Sequence, residues 1–209
     1  MSRTSGILLG ASLFAFVTFS SCGGSFGKSG NDSADMKDAL EKAIAENNLV
    51  KVESGGYKVS IPKHLVPDTS LNDVASLQYA DLEKNLYIIV IDESKTDFIK
   101  TFSDADGYDD NFTPEKNYRI TQMNSMKDKM TIKGEPVTTK ATINGLDAET
   151  VAFTASVPGI DYDIYYKLAF IEGTKNIYMA MTWTLASEKA SNEDEMDQML
   201  QSFKLIDAK

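Results

Sequence analysis

The run Ile164-Tyr165-Tyr166-Lys167-Leu168-Ala169-Phe170, then Ile177-Tyr178-Met179-Ala180-Met181-Thr182-Trp183-Thr184, then Met196, Met199, Leu200 and Phe203 decides the fold. In the first two segments Ile164, Tyr166, Leu168 and Phe170, and Ile177, Met179, Met181 and Trp183, recur at every second position. A period of two is that of a strand with one oily face. After Trp183 the period becomes 3.6: Met196, Met199, Leu200 and Phe203 fall at i, i+3, i+4 and i+7 and share one helical stripe. That helix is expected to lie back across the sheet. Upstream, Val151 and Phe153 alternate with Thr150 and Thr154, and only Pro158-Gly159 and Glu172-Gly173-Thr174-Lys175-Asn176 separate the runs. Connections this short force antiparallel neighbours.

Working outward, Asn144-Gly145 is the dipeptide that best supports a tight hairpin, and it joins a strand over Val137 to Ile143 to one over Leu146 to Val157. The C-terminal half is therefore a four-strand meander closed by a helix. Before it, Thr113-Pro114-Glu115 reads as an N-cap with proline at the first helical position, and Ile120, Met123, Met126 and Met130 keep helical spacing until Gly134. Phe98, Ile99 and Phe102 suit a shorter helix. Leu86-Tyr87-Ile88-Ile89-Val90-Ile91 is apolar at every position, the pattern of a central strand covered on both faces. Leu77 and Tyr79 open a further strand, and 62–73 reads as a loop. Tyr57, Val59 and Ile61 alternate up to Pro62 and pair with Val50 and Val52 through the turn Ser54-Gly55-Gly56. Asp35 to Asn47 carries Met36, Ala39, Leu40, Ala43 and Ile44 on one helical side. The expected class is α+β, an antiparallel sheet with helices packed on its faces, in one domain over 34–209.

The beginning of the chain states an address. Arg3 is followed by an apolar run from Ile7 to Phe19, then Ser20-Ser21-Cys22. The run falls short of the roughly 20 residues that cross a hydrocarbon core, and small residues mark a cleavage point, so 1–21 reads as a signal peptide. Cys22 is the only cysteine and has no disulfide partner within the chain. With the small pair before it, it resembles the lipobox of bacterial lipoproteins. That resemblance implies a diacylglycerol on the thiol, cleavage before Cys22 and acylation of the new amino group. An ordinary secretory signal with a spare thiol is the alternative. Residues 22–33 are then a lipidated cysteine and a Gly, Ser, Asn and Asp tether, reaching roughly 18 Å as a flexible chain. Gly23 and Gly24 follow the cysteine, and by resemblance to lipoprotein sorting signals this implies the periplasmic face of the outer membrane.

The whole chain of 209 residues carries a formal charge of −10, and loss of Arg3 with the signal peptide makes it −11. So acidic a surface is ill-suited to release counterions from a polyanion, which excludes nucleic acid as the expected partner. The expected membrane link is covalent lipid on Cys22, because several acyl chains hold without a basic helix.

The Tyr57-Lys58-Val59-Ser60-Ile61-Pro62 strand, the Leu86 to Glu93 strand, the Ile143-Asn144-Gly145 hairpin, and the Trp183 strand with a terminal helix ending in Ser202-Phe203 resemble a PsbP-like domain over most of 50–206. The resemblance implies an αβα sandwich and an accessory or binding role, and it carries over no catalytic residue.

Candidate chemistry is thin. His64 is the only imidazole, no Gly-x-Ser-x-Gly elbow accompanies it, and Cys22 is committed to lipid, so a nucleophilic site lacks parts. With one His and no Cys after the tether, a zinc site lacks ligands. The acidic run Asp104-Ala105-Asp106-Gly107-Tyr108-Asp109-Asp110 offers Asp104, Asp106 and Asp109 to a weak calcium site. Phe102 and Thr113 stand where an EF-hand loop needs its anchoring carboxylates, so a solvated acidic loop is the other reading. Met123, Met126 and Met130 could suit Cu(I), but helical spacing explains them as core; Met179, Met181, Met196 and Met199 read as gap-fillers at one shared interface. Tyr87, Tyr165, Tyr166 and Tyr178 read as sheet residues. No phosphate-binding glycine motif is present and no cofactor is expected. The expectation is a non-enzymatic binding or accessory module in the cell envelope. Its alternative is an envelope hydrolase of glycan or lipid, working through carboxylates of the 92–110 region.

Overall fold

The computed structural model describes residues 49–206; the signal peptide expected over 1–21, Cys22, the tether expected up to 33 and the helix expected over 35–47 lie outside them. Strands β1 (Leu49–Ser54) and β2 (Tyr57–Pro62) form the expected hairpin. Its turn is made by Gly55 and Gly56 at φ 50° and 86°, a region that side chains with a Cβ rarely enter. The two strands stand apart from the main sheet. Their third member is β10 (Lys204–Leu205), which pairs antiparallel with Tyr57 and Lys58 at the chain's end. A strand of two residues has no period to detect, so the sequence pattern passes over it.

The main sheet has seven strands in the order β3-β4-β5-β9-β8-β7-β6, with each pair of neighbours antiparallel. They are β3 (Val66–Pro67), β4 (Leu77–Asp81), β5 (Leu86–Ser94), β6 (Thr131–Ile143), β7 (Leu146–Ser156), β8 (Asp163–Glu172) and β9 (Asn176–Leu185). The four-strand meander is β6 to β9, and β5 closes onto β9 at its centre, as its apolar run requires. β3 lies inside the segment read as a loop. The helices are α1 (Lys95–Asp104), α2 (Pro114–Lys127) and α3 (Lys189–Gln201), with a 3-10 turn at Ala186–Glu188. The class is α+β, as the sequence indicates.

The sheet has two oily faces where the alternation of β8 and β9 predicts one. On the first, Tyr87, Ile89, Ile91, Val151, Phe153, Tyr166, Leu168, Phe170, Met179 and Met181 pack against Phe98 of α1 and Tyr118, Met123 and Met126 of α2. On the second, Ile88, Val90, Ala148, Tyr165, Ala169, Ile171, Tyr178 and Ala180 pack against Met196, Met199 and Leu200 of α3, Phe203, and Tyr57, Val59 and Ile61 of β2. On β8 and β9 this face is mostly tyrosine and alanine, and their weak apolarity hides it from a count of hydrophobic residues.

Two further expectations need correction. The second helix ends at Lys127 rather than near Gly134, and β6 begins at Thr131. Met130 remains buried in the core beyond the helix, which is why it extends the helical spacing. The strand is broken between Lys133 and Val137, where the pairing register shifts and Gly134 adopts φ 72°; an interrupted alternation conceals a bulged strand. The four methionines do not meet at one interface either. Met179 and Met181 face α2 with Met123, Met126 and Met130, whereas Met196 and Met199 lie on the opposite side of the sheet.

Candidate functional site

Polar side chains concentrate under the first turns of α2, at the end of the sheet where β5 and β8 finish. Glu93 pairs with Ile177 across β5 and β9, and Ile177 pairs with Glu172 across β9 and β8. Both glutamates therefore share the α2 face, two strand spacings apart, roughly 10 Å between backbones. Above them, Glu115, Tyr118, Arg119 and Gln122 occupy i, i+3, i+4 and i+7 of α2, one helical stripe.

Each member meets a carboxyl. Tyr118 Oη donates to Glu93 Oε1 at 2.5 Å and Gln122 Nε2 donates to the same oxygen at 3.2 Å. Arg119 is ion-paired with Glu149 of β7. Glu115 faces Glu172, whose Oε1 also accepts from Lys95 Nζ at 2.8 Å; the same ammonium donates to the Gly173 carbonyl at 2.9 Å. The hydroxyl of Thr113, the residue before α2, donates to Glu115 Oε1 at 2.6 Å and makes no bond to the helix backbone. The N-cap expected from Thr113-Pro114-Glu115 is in place, but its oxygen serves the neighbouring acid. Burial pushes the Glu115 carboxyl above the usual range; the Thr113 hydroxyl and its own backbone N–H pull it down, and Glu172 raises it again. Burial, followed by the charge of Glu93, holds the Tyr118 phenol well above its ordinary value.

A second cluster surrounds the only imidazole. His64 Nδ1 lies 2.7 Å from Asp81 Oδ2 and Nε2 lies 3.0 Å from Glu195 Oε2. Lys84 Nζ stands 3.4 Å from the other oxygen of Glu195. One ring thus joins the segment after β2, the end of β4 and the exposed side of α3. Burial works against ionisation of Asp81, but the backbone N–H groups of Lys84 and Glu83 and the His64 ring outweigh it, and the carboxyl lies below its usual range. The sequence marks His64 as alone. Its partners stand 17 and 131 residues away, and no local spacing signals either.

The three aspartates considered for calcium are separated in their engagements. Asp104 ends α1 and pairs with Lys100 one turn back at 2.6 Å. Asp109 accepts from the backbone and side-chain N–H groups of Asn111 at 2.9 and 2.8 Å, closing a local turn. Asp106 is exposed at φ 54° in the turn that follows α1. Among the described residues, no group of three or more His, Cys, Asp or Glu is arranged to hold a metal ion. Tyr87, Tyr165, Tyr166 and Tyr178 are buried sheet residues. Among the described residues no helix is long and apolar enough to cross a membrane.

Comparison with known proteins gives fold-level similarities. No known protein family matches the chain, and no curated protein matches it either. Among solved structures it is similar to cyanobacterial PsbP (CyanoP) from Synechocystis sp. PCC 6803, at 11% identity and a TM-score of 0.48, over 76% of this chain and 92% of that one. It is also similar to LpqN of Mycobacterium tuberculosis, a protein involved in cell envelope biogenesis, at 13% identity and a TM-score of 0.45, over 79% of this chain and 95% of that one. A third is the Pseudomonas aeruginosa protein of unknown function PA94, at 14% identity and a TM-score of 0.43, over 74% and 95%.

In these clusters Glu93 Oε1 accepts from both Tyr118 and Gln122, Glu115 is 1% exposed, and His64 has both ring nitrogens engaged. Sequence reasoning missed Glu93, Glu115, Glu172 and Tyr118 as a constellation. The available signal is the stripe Glu115, Tyr118, Arg119, Gln122, a polar row on a helix whose core face is read from Ile120 and the methionines.

Proposed function

We propose that the chain is a cell-envelope protein anchored through acylated Cys22 on the periplasmic face of the outer membrane. Its folded domain acts as a binding or accessory module for another envelope component and carries out no chemistry of its own. The observation that carries the second half is His64: a sole imidazole with Asp81 on one nitrogen and Glu195 on the other serves to tie elements together. The first half is supported by the place of Cys22 at the end of the apolar run from Ile7 to Phe19.

The test has two arms. Metabolic labelling with a fatty-acid analogue should mark the wild-type protein and leave Cys22→Ser unmarked; label on both ends the anchoring claim. Affinity capture of the anchored protein from its native envelope should return a reproducible component. Failure to do so, together with turnover of an envelope glycan or ester that vanishes on replacing one carboxylate, makes the domain a hydrolase instead.

A further inference from the structure

We propose that His64 is a proton-dependent clasp that switches partner at Nε2: charged, the ring donates to Glu195 and holds α3 directly; neutral, it accepts from Lys84, and that ammonium takes over the hold on Glu195. Two incompatible neighbours meet at this one atom. Nε2 lies 3.0 Å from Glu195 Oε2 and 3.3 Å from Lys84 Nζ. An ionised carboxylate only accepts and an ammonium only donates. In a given protonation state, Nε2 can satisfy one of them and not the other.

Nδ1 has no such choice. It lies 2.7 Å from Asp81 Oδ2, and the other oxygen of Asp81 accepts from the backbone N–H groups of Glu83 and Lys84 at 2.8 and 3.0 Å. The turn between β4 and β5 thus fixes this carboxyl, which is 11% exposed, against 29% for Glu195 and 47% for Lys84. Water and salt weaken the exposed contacts more than the sheltered one. Nδ1–H therefore donates to Asp81 in both states, and the proton that comes and goes is the one on Nε2. Which nitrogen of a neutral imidazole keeps its proton is set by the hydrogen bonds the ring makes.

With the ring charged, each N–H donates to one carboxylate, and a single cation joins the segment after β2, the end of β4 and α3. With the ring neutral, the Nε2 lone pair repels Glu195 Oε2 and attracts Lys84. Lys84 Nζ is also 3.4 Å from Glu195 Oε1, and its three N–H donors can serve the ring and the carboxylate together. α3 is then tied to the ring at one remove. The charged groups in contact with the ring are Asp81 of β4, Lys84 of the turn after it and Glu195 of α3; Lys63, its neighbour in the chain, is exposed. Protonation of the ring, together with Lys84, balances the two carboxylates. The switch requires neither lipid on Cys22 nor a binding partner.

His64 is the only histidine, so its ring nitrogens can be observed in the isotope-labelled full chain without competing signals. Long-range proton–nitrogen correlation spectra, recorded from about pH 5 upward until the ring is neutral, should pass from two protonated nitrogens to a ring whose bare nitrogen is Nε2. A neutral ring with its proton on Nε2, or an equal mixture of the two tautomers, overturns the proposal. The part played by Lys84 is measured by stability. The denaturant midpoint of Lys84→Met should lie below that of wild type by a margin that widens as the pH is raised through the titration of the ring, because only the neutral ring depends on the ammonium. A margin that stays constant or narrows makes Lys84 an ordinary surface ion pair and overturns the switch. If Lys84→Met does not fold, the tautomer of the wild-type ring decides alone.

Discussion

Tyr118 and Glu93 meet across the interface of α2 and β5 through a 2.5 Å hydrogen bond, with the tyrosine wholly buried. The phenol is the shorter of two donors to Glu93 Oε1, Gln122 being the other. Tyr118→Phe keeps the ring's contacts with Phe98 and Phe170 and removes only the hydroxyl. Bonds to charged groups contribute about 1.5 to 3 kcal/mol, so the denaturant midpoint should fall by that equivalent. Adding Glu93→Gln should make the second loss smaller than either alone, because neighbours that share a bond are not additive.

Gly173 is held by space. A Cβ there would meet Tyr178 Cε2 at 2.8 Å and the Asn176 carbonyl oxygen at 2.9 Å, and the Gly173 N–H itself donates to that carbonyl at 3.0 Å. The backbone must move to admit a methyl group. Gly173→Ala should cost about 1 to 3 kcal/mol, the range for overpacking, and thermal unfolding followed by circular dichroism measures it. An unchanged melting temperature would mean that the β8–β9 turn yields freely.

Phe203 closes the α3 side. Its ring stacks on Tyr57 at 5.1 Å and tilts against Tyr178 at 4.9 Å, joining the small sheet to the large one. Phe203→Ala should destabilise by about 3 to 5 kcal/mol. A loss below about 0.5 kcal/mol, the size of an ordinary surface change, would place the ring outside the core.

Acid should weaken the His64 clasp through Asp81. A carboxyl lowered in the folded state contributes stability present above its unfolded value, about 3.9, and lost as the pH falls through the folded one. Asp81→Asn should therefore be less stable than wild type at neutral pH and equal to it near about pH 2. Urea midpoints at several pH values check this; a gap that persists unchanged into strong acid assigns the loss to packing.

The strands of the meander, the central position of β5, the hairpin at Asn144-Gly145 and the closing stripe of α3 were all legible, because each is a local repeat that burial enforces. Three things were not. β10 is too short to have a period. On β8 and β9 the second face carries Tyr165, Ala169, Tyr178 and Ala180, residue types equally at home in solvent-facing positions. The polar constellations join residues as distant as His64 with Glu195 and Glu93 with Tyr118, and only the folded chain brings them together. The Asp104 to Asp110 run drew attention by density, yet the carboxyls with buried partners are the scattered ones.

The unequal filling of the two faces also acts as a proofreading device for strand alignment. Leu168, Phe170, Met179 and Met181 point toward α2, while the intervening Ala169 and Ala180 point toward α3. A slip of one residue in β8 would send every side chain to the opposite face. Ala169 would then face α2, and Leu168 and Phe170 would be turned toward α3, where Ala169 now packs. Voids and clashes would arise together, and neither helix could relieve one without worsening the other. The misaligned sheet is rejected by volume alone, with no charge or turn needed to mark the error.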